Sequence, residues 1–186
     1  MLNDIVINLN SGDLVFCNGV PDRVFYDTNT SNTYQSGRSY NHVGIVIRDP
    51  VLKDFSAKGV YVLEVDNPDS GFKTRAVLRK IDDVLRRHLR VDVRCWKTLS
   101  EARKLRLRQV YKNVTKSPYE NTCCLGRCFS CFRRVRESQF FYSAELVASA
   151  LRTMNLIDAG INPEYVTIRQ IAELTNKDLS PISTFF

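Results

Sequence analysis

The residues that could carry chemistry in this chain are a histidine, a serine and a glutamate that lie far apart in the sequence. Acyl transfer needs a nucleophile, a base within hydrogen-bond reach and a third group that orients the base. His42 heads the apolar run 43–47, and Ser143 heads an apolar helical pattern at 143–156. Glu64 lies inside another apolar run, where a carboxylate is costly unless it is paired. The sequence therefore predicts Ser143 as the nucleophile, His42 as the general base and Glu64 as the orienting group.

Each of the three also has a plainer structural interpretation. His42 could be a hydrogen-bonded core residue, Ser143 a helix N-cap and Glu64 a solvent-facing residue of an edge strand. The second of the two histidines, His88, lies in a basic amphipathic stretch and is predicted to be a surface residue. This leaves His42 as the candidate base, because the chain has no third histidine.

The elements that must position these side chains alternate between strands and helices. Apolar and β-branched runs predict strands at 14–17, 43–47, 59–65, 72–78 and 92–96, and helical spacing predicts helices at 80–89, 99–116, 143–156 and 167–174. Thr98 with Glu101, and Thr167 with Gln170, have the spacing of capping boxes. The predicted fold class is therefore α+β, with the sheet built from residues 12–96.

The predicted helix at 99–116 is strongly basic. Leu105, Val110 and Val114 are among its few apolar positions, so it is predicted to be mostly solvated. Its cations contribute to a net charge of +7, which favours acidic surfaces such as anionic lipid. No zinc-finger, helix-turn-helix or RNA-binding signature is present, so no specific nucleic acid partner is predicted.

Length and composition favour one domain spanning residues 1–186, with a Cys/Arg-rich loop insertion at about 120–140. No apolar stretch approaches the roughly 20 residues that a membrane-spanning helix needs. Residues 1–7 lack the basic start and the cleavage site of a signal peptide. The predicted location is the cytoplasm, with reduced thiols and with an acidic membrane surface as a candidate partner.

Four cysteines crowd into nine residues of that insertion. They are Cys123, Cys124, Cys128 and Cys131. A four-cysteine zinc site is one interpretation, although such sites usually use two well-separated Cys pairs. A disulfide or redox loop is a second interpretation, and a membrane-contact loop is a third, because Phe and Arg residues flank the cysteines. The plainest interpretation, an insertion with ordinary thiols and no metal, is preferred.

Five short motifs occur in an order that one family shares. They are Gly-Asp-Leu-Val-Phe at 12–16, His-Val-Gly-Ile at 42–45, Val-Leu-Glu at 62–64, Ser-Pro-Tyr-Glu at 117–120 and Tyr-Ser-Ala-Glu-Leu-Val at 142–147. Through these motifs the chain, over roughly residues 11–157, resembles the circularly permuted branch of the NlpC-type papain-like superfamily, which has bacterial and poxvirus members. Lecithin retinol acyltransferases are more distant relatives of that branch.

The resemblance implies a papain-like α+β domain, in which a mainly antiparallel sheet packs against the helix that carries the nucleophile. It implies a hydrolase or acyltransferase acting on an amide or ester bond, with a peptide, an amino-acid amide or an acyl lipid as substrate and with no cofactor. The family's nucleophilic Cys falls on Ser143, its base on His42 and its third residue on Glu64. Residues in or beside the motifs are predicted to bind substrate: Asp13, Tyr40, Tyr119 and Tyr142.

The serine at position 143 is the main departure from the family pattern. A Cys beside a His and a helix N-terminus becomes a thiolate easily, whereas a Ser hydroxyl is far less acidic and needs an aligned base. Residual activity is therefore predicted to be low. Three explanations stay open: a replacement made to silence the enzyme, a natural serine variant, or a catalytically inactive protein that binds a ligand or partner in the same cleft.

Overall fold

One antiparallel sheet organises the part of the chain that the structure, a computed structural model, describes. That part comprises residues 8–18, 40–52, 56–66, 75–114, 143–174 and 178–184. Its strands are β1 (Leu14–Asn18), β2 (His42–Arg48), β3 (Val60–Asp66), β4 (Arg75–Lys80), β5 (Arg90–Arg94) and β6 (Ser183–Thr184). They lie in the order β4-β3-β2-β1-β5-β6, and every neighbouring pair is antiparallel. Together with the helices, this sheet confirms the predicted α+β class.

Four α-helices are present in the same residues. They are α1 (Ile81–Arg87), α2 (Glu101–Val114), α3 (Ser143–Thr153) and α4 (Ile168–Ala172), with a 3-10 turn at Pro163–Tyr165 before α4. The predicted capping box opens α4, because the Thr167 hydroxyl accepts from the Gln170 N–H and the Gln170 side chain accepts from the Thr167 N–H. The box predicted for Thr98 is wrong, because α2 begins at Glu101. The Ser100 carbonyl accepts the first helical hydrogen bond there.

The alternation of side chains along the strands gives the sheet two faces with different helix layers. On the first, termed the α3 face, Phe16, Val43 and Leu63 pack with buried residues of α2, α3 and α4. On the second, termed the α1 face, Cys17 and Val62 pack with buried residues of α1. Neighbouring residues of one strand therefore belong to different layers, and this decides where each candidate side chain lies.

Helix α2 contributes one apolar stripe to the α3 face. Its buried residues are Leu107, Val110, Tyr111 and Val114, which have the i, i+3, i+4, i+7 spacing of one helix side. Of the three apolar positions noted in the sequence, Val110 and Val114 are buried, whereas Leu105 is 56% exposed. The difference arises because Leu107 and Tyr111 set the rotation of the helix, and this turns Leu105 toward solvent.

The sheet extends beyond the predicted range of 12–96. Ser183–Thr184 pairs with β5 as the sixth strand. The Arg94 guanidinium of β5 donates to the carbonyls of Ser180 and Ala172, which ties the C-terminal segment to the sheet. A two-residue strand has no periodicity that a sequence pattern could reveal.

Helix α3 is strongly apolar but short. It ends at Thr153, before the predicted end at 156, because Asn155 adopts a left-handed φ of 56°. The Leu156 N–H then donates to the Leu151 carbonyl at 2.9 Å, a helix ending of the Schellman type. Within the described ranges, no helix is long and apolar enough to cross a membrane.

Candidate active site

His42 is the first residue of β2, and its ring lies on the α1 face. Its cross-strand partner on β1 is Cys17, and directly opposed residues of antiparallel strands point to the same face. The ring nitrogen Nε2 lies 2.9 Å from Oε2 of Glu64 on β3. The predicted contact between His42 and Glu64 is therefore present, with side chains that are 18% and 5% exposed.

The tautomer of His42 follows from the chemistry of its partner. An ionised carboxylate can only accept hydrogen bonds, so Nε2 carries the hydrogen of this contact. In the neutral ring, Nδ1 is then the nitrogen with a lone pair to offer, and it can take a proton from a nucleophile or from water. This is the arrangement of a general base that is oriented by a carboxylate.

Glu64 has a second partner that the sequence pattern did not indicate. The Nε of Arg79, on β4, donates to Glu64 Oε1, and the Arg79 side chain is 14% exposed. Arg79 is the cross-strand partner of Val62, two residues before Glu64, so all three side chains lie on the α1 face. The sequence signal was weak, because Arg79 falls just after the strand predicted at 72–78.

The charge of the Glu64 carboxyl depends on two opposing effects, burial and contact with positively charged groups. Burial raises the pKa of this group, whereas hydrogen bonds and positive charge from His42 and Arg79 lower it, and the lowering prevails. Glu64 is therefore ionised at neutral pH. Its two partners offset the cost of desolvating the charge.

We expect Glu64 to make the protein less stable in acid. Its stabilising contribution is fully present above the ordinary carboxyl value of 4.5, and it is lost as the pH falls through the lower pKa of the folded state. The measurement is the free energy of unfolding in urea between about pH 6 and about pH 3, for the unmodified chain and for Glu64→Gln. The difference between the two chains should shrink toward acid. A difference that stays constant over this range would contradict the prediction.

His88 lies beside His42. It follows α1, and its ring stacks on that of His42, with centroids 5.6 Å apart and planes 11° apart. The side chain is partly buried, so the residue predicted at the surface also contacts His42. The amphipathic pattern of α1 located the helix, but it could not show that the residue after its last turn packs beside β2.

Ser143 is the first residue of α3, and this helix packs on the other side of the sheet from His42. Ala144 and Val147 of α3 are buried within the cluster of the α3 face. Among the described residues, Ser143 makes no hydrogen bond to His42. The structure brings His42 and Glu64 together and does not join Ser143 to them. The catalytic role of Ser143 stays a prediction.

Comparisons with known proteins leave the family open. The chain matches no protein-family model, no curated protein and no solved structure. Function must therefore be inferred from the side-chain contacts around His42 and from the motifs of the sequence.

Two cysteines lie in or beside the described sheet, and neither is suited to nucleophilic attack. Burial raises the pKa of Cys17 well above its usual value, and the charges of Glu64 and Asp92 raise it further. Burial, together with the charge and hydrogen bond of Asp13, raises the pKa of Cys95 to about 12. Because the thiolate is the nucleophilic form of cysteine, both thiols are unreactive at neutral pH.

Asp13 and Tyr40, which were predicted to bind substrate, are buried in hydrogen-bond networks. Asp13 accepts from the backbone N–H groups of Asn10 and Trp96, which fixes the turn before β1. The Tyr40 hydroxyl donates to the fully buried carboxylate of Asp92. These contacts give both residues a structural role, and substrate binding by them stays a prediction.

The other predicted residues lie outside the described part of the chain. They are Tyr119, Tyr142 and the clustered cysteines Cys123, Cys124, Cys128 and Cys131, with the insertion at 120–140. Within the ranges that are described, no group of three or more His, Cys, Asp or Glu side chains could hold a metal ion. The zinc hypothesis and the substrate role of the two tyrosines therefore stay predictions.

A cavity of about 150 Å³ lies at the other end of β2. Its lining includes Arg48, Lys104 and Tyr111. His42 is the first residue of β2 and Arg48 is the last, so the length of the strand separates this cavity from the candidate base.

Proposed function

We propose that this chain is a papain-like hydrolase or acyltransferase that acts on an amide or ester bond. His42 is the general base, Glu64 orients it, and Ser143 occupies the position of the nucleophile. The observation that carries the proposal is the 2.9 Å contact between His42 Nε2 and the Glu64 carboxylate, in a largely buried pair. The ordered motifs that resemble the permuted NlpC-type branch support the same class of protein.

In the proposed reaction, His42 Nδ1 takes the proton of the Ser143 hydroxyl while the serine oxygen attacks the carbonyl carbon. Negative charge develops on the carbonyl oxygen and is stabilised by backbone N–H groups at the start of α3. His42 then gives its proton to the leaving amine or alcohol. Water, or another acceptor in an acyltransferase, attacks the acyl-enzyme in the same way and releases the product.

The serine at position 143 limits the expected rate. A serine hydroxyl needs an aligned base at the moment of attack, and Ser143 is not hydrogen-bonded to His42 in the described structure. The reaction therefore requires the start of α3 to approach His42 when substrate binds, because α3 packs on the opposite face of the sheet. Turnover by the chain with Ser143 is therefore expected to be slow.

Amides and acyl lipids are the proposed substrates. The net charge of +7 and exposed cations on α2, such as Arg106 and Arg108, favour approach to anionic membrane surfaces. This charge tilts the proposal toward an acyl lipid presented at such a surface.

A second candidate is a catalytically inactive protein that binds a ligand or partner near the same residues. The observation in its favour is that α3 packs on one face of the sheet while His42 and Glu64 lie on the other. In this candidate the base and its carboxylate hold a polar ligand by hydrogen bonds instead of activating a nucleophile.

The test places a thiol at the nucleophile position. The proteins are the unmodified chain, Ser143→Cys, and Ser143→Cys with His42→Ala. Each is treated with an acyl-type electrophile and then assayed with amide and phospholipid substrates. Because the chain has six cysteines of its own, peptide mass mapping must locate the label.

Labelling at position 143 that depends on His42 is the expected result for the enzyme. A thiol enzyme of this type should lose about a hundredfold or more of its rate without the base. Absence of label at position 143, or labelling that is equal with and without His42, would rule out the proposed chemistry. Binding of the same substrates by an inert protein would then favour the second candidate.

A further inference from the structure

The Glu64 carboxylate is held from two sides. Oε2 lies 2.9 Å from Nε2 of His42, and Oε1 accepts from Nε of Arg79. The three side chains are 18%, 5% and 14% exposed for His42, Glu64 and Arg79. A guanidinium does not lose its proton in proteins, so Arg79 places a permanent positive charge behind the base–carboxylate pair.

Strand order makes this arrangement possible. Strand β3 lies between β2 and β4, so Glu64 has the strand of His42 on one side and the strand of Arg79 on the other. The register sets Arg79 opposite Val62, and the guanidinium reaches along the α1 face to the carboxylate two residues further on. Arg79 and His42 therefore bind different oxygens of the same carboxylate, and each is held by a different strand.

Glu64 and Arg79 have opposing electrostatic effects on the His42 imidazole. An unshared carboxylate favours the imidazolium, which has no lone pair to accept a proton. A carboxylate that also binds a guanidinium has less charge to offer, and the guanidinium itself repels a positive ring. A neutral imidazole is what a hydroxyl nucleophile or a water molecule needs.

We propose that Arg79 is a positioning residue of the candidate site: it fixes the Glu64 carboxylate and offsets its charge, so that Glu64 orients the His42 ring without holding a second proton on it. This inference rests on the proposed function, in which His42 is the general base. The Arg79 guanidinium also supplies the positive charge that the buried Glu64 carboxylate needs when the His42 ring is neutral.

Other charged and titratable groups also lie near His42, Glu64 and Arg79. On the surrounding elements these are Cys17 of β1, His88 after α1 and Asp83 of α1. The pKa of Cys17 is raised by burial, so its thiol is uncharged at neutral pH. Because the rings of His88 and His42 stack, a positive charge on both rings at once is unfavourable. The Asp83 carboxyl interacts electrostatically with Arg79. The hydrogen bonds that lower the pKa of Glu64 come from His42 and Arg79 and from none of these three groups. A change at Arg79 therefore tests its coupling to His42 through Glu64, apart from the effects of Cys17, His88 and Asp83.

The test is an NMR titration of the imidazole C–H signals, which needs no substrate. The chain has two histidines, so His88→Ala assigns the signals. Arg79→Gln removes the charge, Arg79→Met removes it while keeping an apolar stem, and Arg79→Lys keeps the charge. Arg86→Gln is the matched control, because Arg86 is 74% exposed and pairs with Asp83.

We expect Arg79→Gln to move the His42 titration midpoint upward by about 0.5–1 pH unit, because one unopposed carboxylate then faces the ring. Arg79→Met should give the same shift and supplies the comparison if Arg79→Gln does not fold. Arg79→Lys should restore most of the original midpoint, and Arg86→Gln should leave it unchanged. If the chain turns over substrate, the acid limb of kcat/KM against pH should move upward by the same amount in Arg79→Gln.

An unchanged or lowered midpoint in a folded Arg79→Gln or Arg79→Met protein would overturn the inference, as would an equal shift in Arg86→Gln. The outcome is separable from the test at position 143. An inert Ser143→Cys protein whose His42 midpoint still depends on Arg79 would remove the proposed reaction and leave the electrostatic coupling in place.

Discussion

Replacing Glu64 with alanine is expected to destabilise the protein by about 2–4 kcal/mol, because the change removes the shared acceptor of two residues. Arg79 would keep its positive charge at a largely buried position and would lose the carboxylate that accepts from its Nε. His42 would lose the acceptor of its Nε2–H. The partial exposure of both partners places the expected cost below that of an isolated buried charge. The measurement is the free energy of unfolding in urea at neutral pH.

Glu101→Ala is the matched control for this change. Glu101 pairs with Lys104 at 2.7 Å, but its side chain is 87% exposed. Exposed pairs of this kind contribute roughly 0–1 kcal/mol. A cost of Glu64→Ala no greater than that of Glu101→Ala would show that the buried network contributes little to stability. The expectation that Glu64 stabilises the fold through His42 and Arg79 would then be wrong.

Gly44→Ala is expected to destabilise the sheet by about 1–3 kcal/mol through overpacking between β2 and β3. A Cβ atom at Gly44 would lie 2.3 Å from Cγ1 of Val62 and 3.2 Å from the carbonyl oxygen of Leu63. The first distance is far inside van der Waals contact, so β2 and β3 must move apart or Val62 must change its position. Glu64, whose Cβ lies 3.6 Å from the same point, would move with its strand.

A double mutant separates this clash from other effects. Val62→Ala removes the methyl groups that the new Cβ would meet, at the cost of a cavity of its own. The combined variant should be more stable than the sum of the single changes predicts, by about 1 kcal/mol or more. Strictly additive free energies would mean that the two residues do not compete for the same space.

The effect of Gly44 shows how the candidate site depends on the spacing between strands. Gly44 lies two residues after His42, and Val62 lies two residues before Glu64. Both pairs occupy the α1 face. The absence of a side chain at Gly44 lets β3 approach β2, and this approach brings the carboxylate to within 2.9 Å of the imidazole.

Local sequence patterns are enough to predict the contact between His42 and Glu64. Only two histidines are present, and one of them heads an apolar strand. A carboxylate within an apolar strand needs a polar partner, which is why the sequence predicts Glu64 as the partner of His42. The element types and the Thr167 capping box are also predictable, because strand alternation, helical spacing and caps depend on residues that are close in the sequence.

The tertiary structure alone decided which other residues join that pair. Arg79 reaches Glu64 because β4 lies beside β3 in a particular register, and His88 reaches His42 because the chain folds back after α1. Register and strand order arise from contacts between distant segments, and no single segment encodes them. Tyr40 is a similar case, because its hydroxyl donates to Asp92, which is distant in the sequence.

The sequence also could not predict on which face of the sheet α3, the helix that begins at Ser143, packs. The apolar pattern of α3 showed that one side of the helix is buried, but it could not show on which face of the sheet. Because side chains alternate along β2, a helix on the α3 face packs against Val43 and not against His42. The sequence by itself predicted the contact between His42 and Glu64, which the structure shows. The packing of helices on the two faces determined that the helix of the predicted nucleophile packs on the face opposite His42 and Glu64, since the choice of face depends on the whole core and not on any one strand or helix.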